Sequence, residues 1–131
     1  MTILIDSDVL IEVSRGRDAA ILHTWARVRD SDTVLLCSPV TVAELWHSAR
    51  ADDHAPLSRL FDCFVCIPAD REIGRRAGDF LKQFARSHAL ELGDALIAAT
   101  ASIHGAQLWT RNKKHYPMKD ISFFRHDLSK H

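Results

Sequence analysis

The stretch Ile3-Leu4-Ile5-Asp6-Ser7-Asp8 constrains the fold more than any other: an apolar run that stops at two carboxylates with a small hydroxyl residue between them. A run without polar alternation fits a strand buried on both faces, the habit of a central parallel strand covered by helices. Sheets of that kind bind ligands outside the carboxyl ends of their strands, where Asp6 and Asp8 would stand. The same residues suit a plainer role, because Asp and Ser are favoured caps for a following helix, here expected over residues 9–14. For this stretch alone, cap and site are equally good readings.

The rest of the chain alternates helical and strand patterns. Leu22, Trp25 and Val28 recur at helical spacing with Asp18 as the expected cap, and residues 33–37 then read as a second buried strand. Ser38-Pro39 opens a helix in which Val42, Leu45, Trp46 and Ala49 form one stripe, for core or partner, and Glu44 points almost the opposite way. A short helix with Leu57, Leu60 and Phe61 leads to a third strand near residues 64–67. Pro68-Ala69-Asp70 opens a long helix with Ile73, Ala77, Phe80, Leu81 and Phe84 on one face and its arginines on the solvated other. Residues 95–101 are apolar nearly all round, and Gly105 is placed to end that helix. Residues 107–110 and 121–124 supply a fourth and a fifth strand, with the basic loop Arg111-Asn112-Lys113-Lys114-His115 between them. Such alternation predicts an α/β fold with a mainly parallel sheet and helices on both faces.

At 131 residues the expectation is one domain, residues 1–131, able to bury roughly two-thirds of its unfolded surface. No apolar run approaches the ~20 residues needed to span a bilayer, and no signal peptide is visible, so an intracellular, cytoplasmic protein is expected. With 17 charges of each sign there is no global basic field, and a nucleic-acid partner would have to be held locally. Cys37, Cys63 and Cys66 do not make a disulfide framework. Cys63-x-x-Cys66 runs into an apolar stretch without a second pair, so core packing is its expected role.

Five acidic or amide positions fall at strand ends: Asp6 and Asp8 after the first strand, Glu44 in the helix after the second, Asp94 at the start of the helix before the fourth, and Asn112 just after the fourth. Each has a structural alternative as cap or turn residue. Taken jointly they map to one edge of the sheet, and clustered carboxylates need protonation or a cation to offset their repulsion. Magnesium or manganese takes oxygen ligands, and such an ion suits hydrolysis of a phosphodiester. Arg111, Lys113 and Lys114 are placed to hold a polynucleotide backbone, or are ordinary surface charge.

Four segments carry a resemblance: residues 5–11, Val40-Thr41-Val42-Ala43-Glu44-Leu45, Asp94-Ala95-Leu96-Ile97-Ala98-Ala99-Thr100-Ala101, and Thr110-Arg111-Asn112-Lys113-Lys114-His115-Tyr116. In order and spacing the chain resembles the PIN-domain ribonucleases, and within them the VapC toxins of bacterial toxin–antitoxin pairs. The resemblance implies a three-layer α/β/α sandwich with a central, mainly parallel five-stranded sheet, metal-dependent cleavage of RNA, a homodimer, and a cognate antitoxin whose tail enters the site. It implies that Asp6, Glu44 and Asp94 bind Mg2+ or Mn2+ and that Asn112 stands at a fourth position, often Asp in the family. Ser7 would position Asp6 or a water, and Asp8 either adds charge or caps the helix. A housekeeping RNA-processing nuclease could carry the same site.

Other classes compete, among them a phosphatase of the aspartyl-nucleophile kind, which shares Asp-x-Asp after a strand but needs later paired carboxylates that this chain lacks, and a domain that binds RNA or a partner without cutting, against which the three matching carboxylates argue. A receiver-like phosphorylation switch shares the size and the parallel sheet, with Asp70 as its acceptor, but gives Glu44 and Asp94 no role. A metal-independent ribonuclease would need a histidine pair, and the eight histidines are scattered without one.

Overall fold

In the computed structural model, which describes residues 1–125, a five-stranded sheet runs in the order β3-β2-β1-β4-β5. The strands are β1 (Thr2–Ile5), β2 (Val34–Cys37), β3 (Val65–Cys66), β4 (Gln107–Trp109) and β5 (Ser122–Phe123). All four pairings are parallel. The helices are α1 (Ser7–Arg15), α2 (Ala19–Arg29), α3 (Pro39–His47), α4 (His54–Phe61), α5 (Arg71–His88) and α6 (Leu92–His104). The outer strands β3 and β5 are shorter than their hydrophobic patterns predict, at two residues each.

The two faces of the sheet explain the lack of polar alternation in its inner strands. Successive side chains point to opposite faces. Ile3, Ile5, Leu35 and Trp109 therefore pack with α1 to α4 through Val9, Leu10, Trp25, Leu45 and Leu57. Leu4, Leu36 and Leu108 face the other way, onto Ile73, Ala77 and Phe80 of α5 and Ala95 to Ala101 of α6. Both faces are covered, so each inner strand must be apolar throughout, and the result is the three-layer sandwich.

Local chemistry sets the helix ends. Asp6, Asp18 and Asp70 each cap a helix through a carboxylate that accepts from a main-chain N–H. Ser38 does the same for α3, with Pro39 at the first helical position. Gly105 closes α6 at φ 60°, in the left-handed region open to glycine. Helix α1 starts two residues before its apolar pattern does, because Asp6 already supplies the cap.

Two sequence expectations fail. Cys63 and Cys66 are exposed rather than packed in the core, because Cys66 lies on β3, an edge strand open to solvent, and Cys63 in the turn before it; only Cys37 is buried. Arg76, expected on a solvated face, reaches from α5 to α6 and donates to Ser102 Oγ at 2.7 Å.

The order of the strands positions the site. The chain moves outward from β1 through β2 to β3, then returns to the other side of β1 with β4. The direction of winding therefore reverses between β1 and β4, and the crevice beyond their carboxyl ends is the favoured ligand position in such a sheet. The β1–β4 pairing continues to that edge, where Asp6 N donates to Trp109 O at 2.9 Å.

Leu4 is fully buried at the centre of this sheet, whereas Val65 on β3 is 56% exposed. Leu4→Ala is expected to lower unfolding free energy by about 2–5 kcal/mol and Val65→Ala to change it by no more than about 0.5 kcal/mol, read from urea denaturation midpoints.

Candidate active site

Asp6 leaves β1 buried, with only 7% of its surface exposed. Its Oδ1 accepts from Ser7 N at 2.7 Å. Its Oδ2 accepts from two hydroxyls, Thr110 Oγ1 at 2.9 Å and Tyr116 Oη at 2.8 Å. Thr110 follows β4 directly, and Tyr116 comes from the segment between β4 and β5, so adjacent strands deliver both donors. The Tyr116 hydroxyl also lies 3.4 Å from Asp94 Oδ1 and so joins two carboxylates of the expected site. Burial first, then the charges of Asp6 and Asp94, push the Tyr116 hydroxyl far above its ordinary value, so it remains a donor.

Glu44 is brought in from α3. Ser7 Oγ donates to Glu44 Oε1 at 2.6 Å and lies 3.0 Å from Thr41 Oγ1. Thr41 is fully buried and Glu44 is exposed, so one turn of α3 supplies a fixed hydroxyl and a carboxylate facing the solvent edge. Asp94 lies in the first turn of α6, where a carboxylate suits the positive end of the helix. That end lies close to α3: a Cβ on Gly93 would meet Val40 Cγ1 at 3.3 Å. His115 Nδ1 lies 3.7 Å from Asp94 Oδ2 and pairs with it when protonated.

Asp8 belongs to the same cluster. Its Oδ2 accepts from Arg111 N and from Asn112 Nδ2, each at 3.0 Å, with Thr110 Oγ1 at 3.4 Å. Asn112 therefore reaches the edge through Asp8. Burial, and then the charge of Asp6, raise the Asp8 carboxyl from 3.8 to about 6, although the amides of Arg111 and Val9 oppose the shift. Asp94 is raised for the same two reasons, against His115 and the Tyr116 hydroxyl. Asp8 Oδ1 is buried and has no hydrogen-bond partner among the described residues.

These contacts make one connected network: Glu44 to Ser7, Ser7 to Asp6, Asp6 through Tyr116 to Asp94, and Asp6 through Thr110 to Asp8 and Asn112. Among the described residues, no three His, Cys, Asp or Glu side chains already converge closely enough to form a closed metal cage. The donor set is nevertheless all oxygen and anionic, the charge of Asp6 raises the proton affinity of Asp8 and Asp94, and one buried carboxylate oxygen lacks a hydrogen bond. That chemistry fits a hard divalent cation that keeps most of its own water and takes few protein ligands.

The basic residues are arranged less freely than their spacing implies. The Arg111 guanidinium lies 3.8 Å from Glu12 Oε2, a mostly buried carboxylate that Arg17 also approaches at 3.9 Å. Lys113 Nζ sits 5.5 Å from the centre of the Phe123 ring. Thr110, Tyr116 and Glu12 lie in or beside segments with visible motifs, yet spacing alone gave none of them a partner; Thr41, spaced from Glu44 as in a capping box, instead meets Ser7. A separate cavity of about 540 Å³ opens among α1 to α4, lined by residues such as Trp25, Leu45 and Leu57 and by none of the network above.

A PIN domain model matches residues 3–121, and the chain belongs to the PIN-domain family. Ribonuclease VapC10 of Mycobacterium tuberculosis is 44% identical over 117 residues, covering 88% of this chain and 86% of that protein. Ribonuclease VapC19 of the same organism is 30% identical over 116 residues, covering 88% and 92%. Within the PIN family, the chain is a member of the VapC ribonucleases. Among solved structures, DNA-bound VapBC from Salmonella typhimurium matches with a TM-score of 0.79 at 16% identity, covering 96% of this chain and 98% of that one. FitAcB from Neisseria gonorrhoeae matches at 0.73 and 23% identity, covering 96% and 99%. These two share the fold.

The raised carboxyls fix the sign of a pH effect in chelator. Asp8 binds its proton more tightly folded than unfolded, so its contribution to stability is fully present below 3.8 and is lost as pH rises through about 6. Asp8→Asn is therefore expected to have a higher urea midpoint than the parent at about pH 7, with the difference fading toward about pH 4.

Proposed function

We propose that this chain is a metal-dependent endoribonuclease that hydrolyses RNA phosphodiester bonds at the Asp6–Glu44–Asp94 edge, as the toxin of a toxin–antitoxin pair. The ribonuclease and toxin parts follow from membership of the VapC family. The observation that supports the metal is the hydroxyl of Tyr116 shared by Asp6 and Asp94 beside the raised Asp8, a concentration of negative charge with few positive partners.

In this reading Asp6, Glu44 and Asp94 hold the ion. When bound, magnesium or manganese supplies positive charge to the scissile phosphate and makes a water acidic enough to attack near neutral pH. The protein's own part is to orient and to exclude. Ser7 holds Glu44, Thr110 and Tyr116 hold Asp6, and Asn112 holds Asp8, so each carboxylate presents a fixed oxygen. Tyr116 and Thr110 are buried and keep solvent from the back of Asp6. Lys113 and Lys114 lie beside the edge and suit the phosphate backbone, while Arg111 must share its charge with Glu12.

The receiver-like reading fares worse. Asp70, its acceptor, caps α5 by accepting from Ile73 N at 3.0 Å and is not part of the acidic edge. For the paired-histidine reading, the histidine that the described residues bring to the edge is His115, and it faces a carboxylate. Structural neighbours that are toxin–antitoxin complexes support an antitoxin partner for this chain. The homodimer implied by the family belongs to the same proposal, and light scattering of the purified chain checks it. Among the described residues no helix is long and apolar enough to cross a membrane.

Purified protein is expected to cut cellular RNA with magnesium or manganese and to stop in EDTA. Asp6→Asn and Asp94→Asn should each lower the cleavage rate by more than about 10²-fold, because each removes a charged ligand. Tyr116→Phe, which leaves the carboxylates but removes their shared donor, should lower it about 10–100-fold and raise the metal concentration needed for half-maximal cutting. Cutting that survives EDTA and both Asp substitutions would overturn the metal mechanism.

A further inference from the structure

Cys37 ends β2 and Cys66 ends β3, and the two are direct partners in the parallel register. Residues paired this way point to the same face of the sheet, on strands ~4.8 Å apart, inside the ~4.4–6.8 Å span of Cα atoms that a disulfide bridges. Their surroundings differ. Cys37 is 1% exposed, whereas Cys66 is open to solvent on the edge strand. Burial first, then the neighbouring Cys66 thiol, push the Cys37 thiol up to about 12. The sequence pairs Cys66 with Cys63 instead, but Cys63 lies outside β3, with its Sγ 3.8 Å from Arg59 O.

We propose that Cys37 and Cys66 form a reversible dithiol–disulfide site that reacts with small disulfides such as oxidised glutathione and fastens the α3–α4 segment, which carries Glu44, to the sheet edge. Exposure sets the order of steps. The Cys66 thiolate attacks one sulfur of the glutathione disulfide, the S–S bond breaks, one glutathione thiol leaves, and a Cys66–glutathione mixed disulfide forms. Cys37 then gives up its proton and attacks Cys66 Sγ, the Cys37–Cys66 bond forms, and the second glutathione leaves as a thiol carrying that proton. Two protein thiols are oxidised and one glutathione disulfide is reduced to two thiols.

The bond closes a loop from Cys37 to Cys66 that contains α3 and α4. Closing a loop restricts the unfolded chain and raises stability. The approach of the sulfurs falls on β3, a two-residue edge strand with open sides, more than on β2, which is buried between two neighbours.

The test treats the reduced full chain with oxidised glutathione, alkylates remaining thiols and maps the peptides by mass. A Cys37–Cys66 linked peptide is expected, with the loss of two hydrogens from the protein, reversal by dithiothreitol and a raised melting temperature. Cys63→Ser should keep the link and the rise, and Cys66→Ser should lose both. A Cys63–Cys66 link, a lasting glutathione adduct on Cys66 with Cys37 still open to alkylation after unfolding, or no reaction would each overturn the proposal. The mapping is done on the unaltered chain, so it stands whatever the variants do.

Discussion

The carboxylate of Asp6 is the group on which the architecture of the site depends. Moving an ionised carboxylate out of water costs several kcal/mol unless hydrogen bonds replace the lost hydration. Here the replacements come from three places: the first amide of α1, the hydroxyl that ends β4, and a tyrosine from the connection to β5. They meet only if β4 returns to lie beside β1, which requires the reversal of winding in the sheet. The cap of α1, the strand order and the acidic edge are thus one structural fact. The choice between cap and site, open at the sequence level, has no single answer, since Asp6 Oδ1 caps the helix while Oδ2 faces the edge.

Gathering the other acids around that group has a cost in stability. The charge on Asp6 helps to raise both Asp8 and Asp94, so near neutral pH the folded chain holds carboxylates that would ionise more easily unfolded. A chain selected for stability alone would place an amide or a hydroxyl at these positions. The donors supplied by the fold, Tyr116, Thr110 and Ser7, orient the acids without neutralising them, because each is an uncharged hydroxyl. Orientation without neutralisation is compatible with a site for a cation, whereas an arginine in place of Tyr116 would offset the charge itself.

Much of this was legible in the sequence because it was local. Ile3 to Ile5 are apolar at successive positions, which only a strand covered on both faces explains, and Ser38-Pro39 marks the start of α3 by a cap and a fixed φ. The acidic residues were legible as a group because strand ends fall on one edge of a parallel sheet. What the sequence hid was long-range. Tyr116 meets Asp6 across 110 positions, and Thr110 across 104. The cysteines were misread for a related reason: Phe64-Val65-Cys66-Ile67 is apolar enough for a central strand, but its place at the sheet edge, and its register with Cys37, depend on the order of strands. Arg76 looked solvated because its partner Ser102 lies on another helix.

The pairing of Asp8 with Asn112 shows how the edge keeps its charge where this chain departs from the family pattern. The resemblance places an acid, often Asp, at the position Asn112 occupies, and a variable polar residue at the position of Asp8. In this structure the two touch, Asn112 Nδ2 donating to Asp8 Oδ2 at 3.0 Å. A carboxylate at both positions would bring two negative charges into contact, beside an Asp8 whose carboxyl burial and Asp6 have already raised. An amide at 112 turns that repulsion into a hydrogen bond. The fourth charge of the edge is then carried by Asp8, on α1 rather than after β4, and Asn112 is its complement. On this argument Asp8 and Asn112 work as a pair, one bringing the charge and the other the donor that holds it.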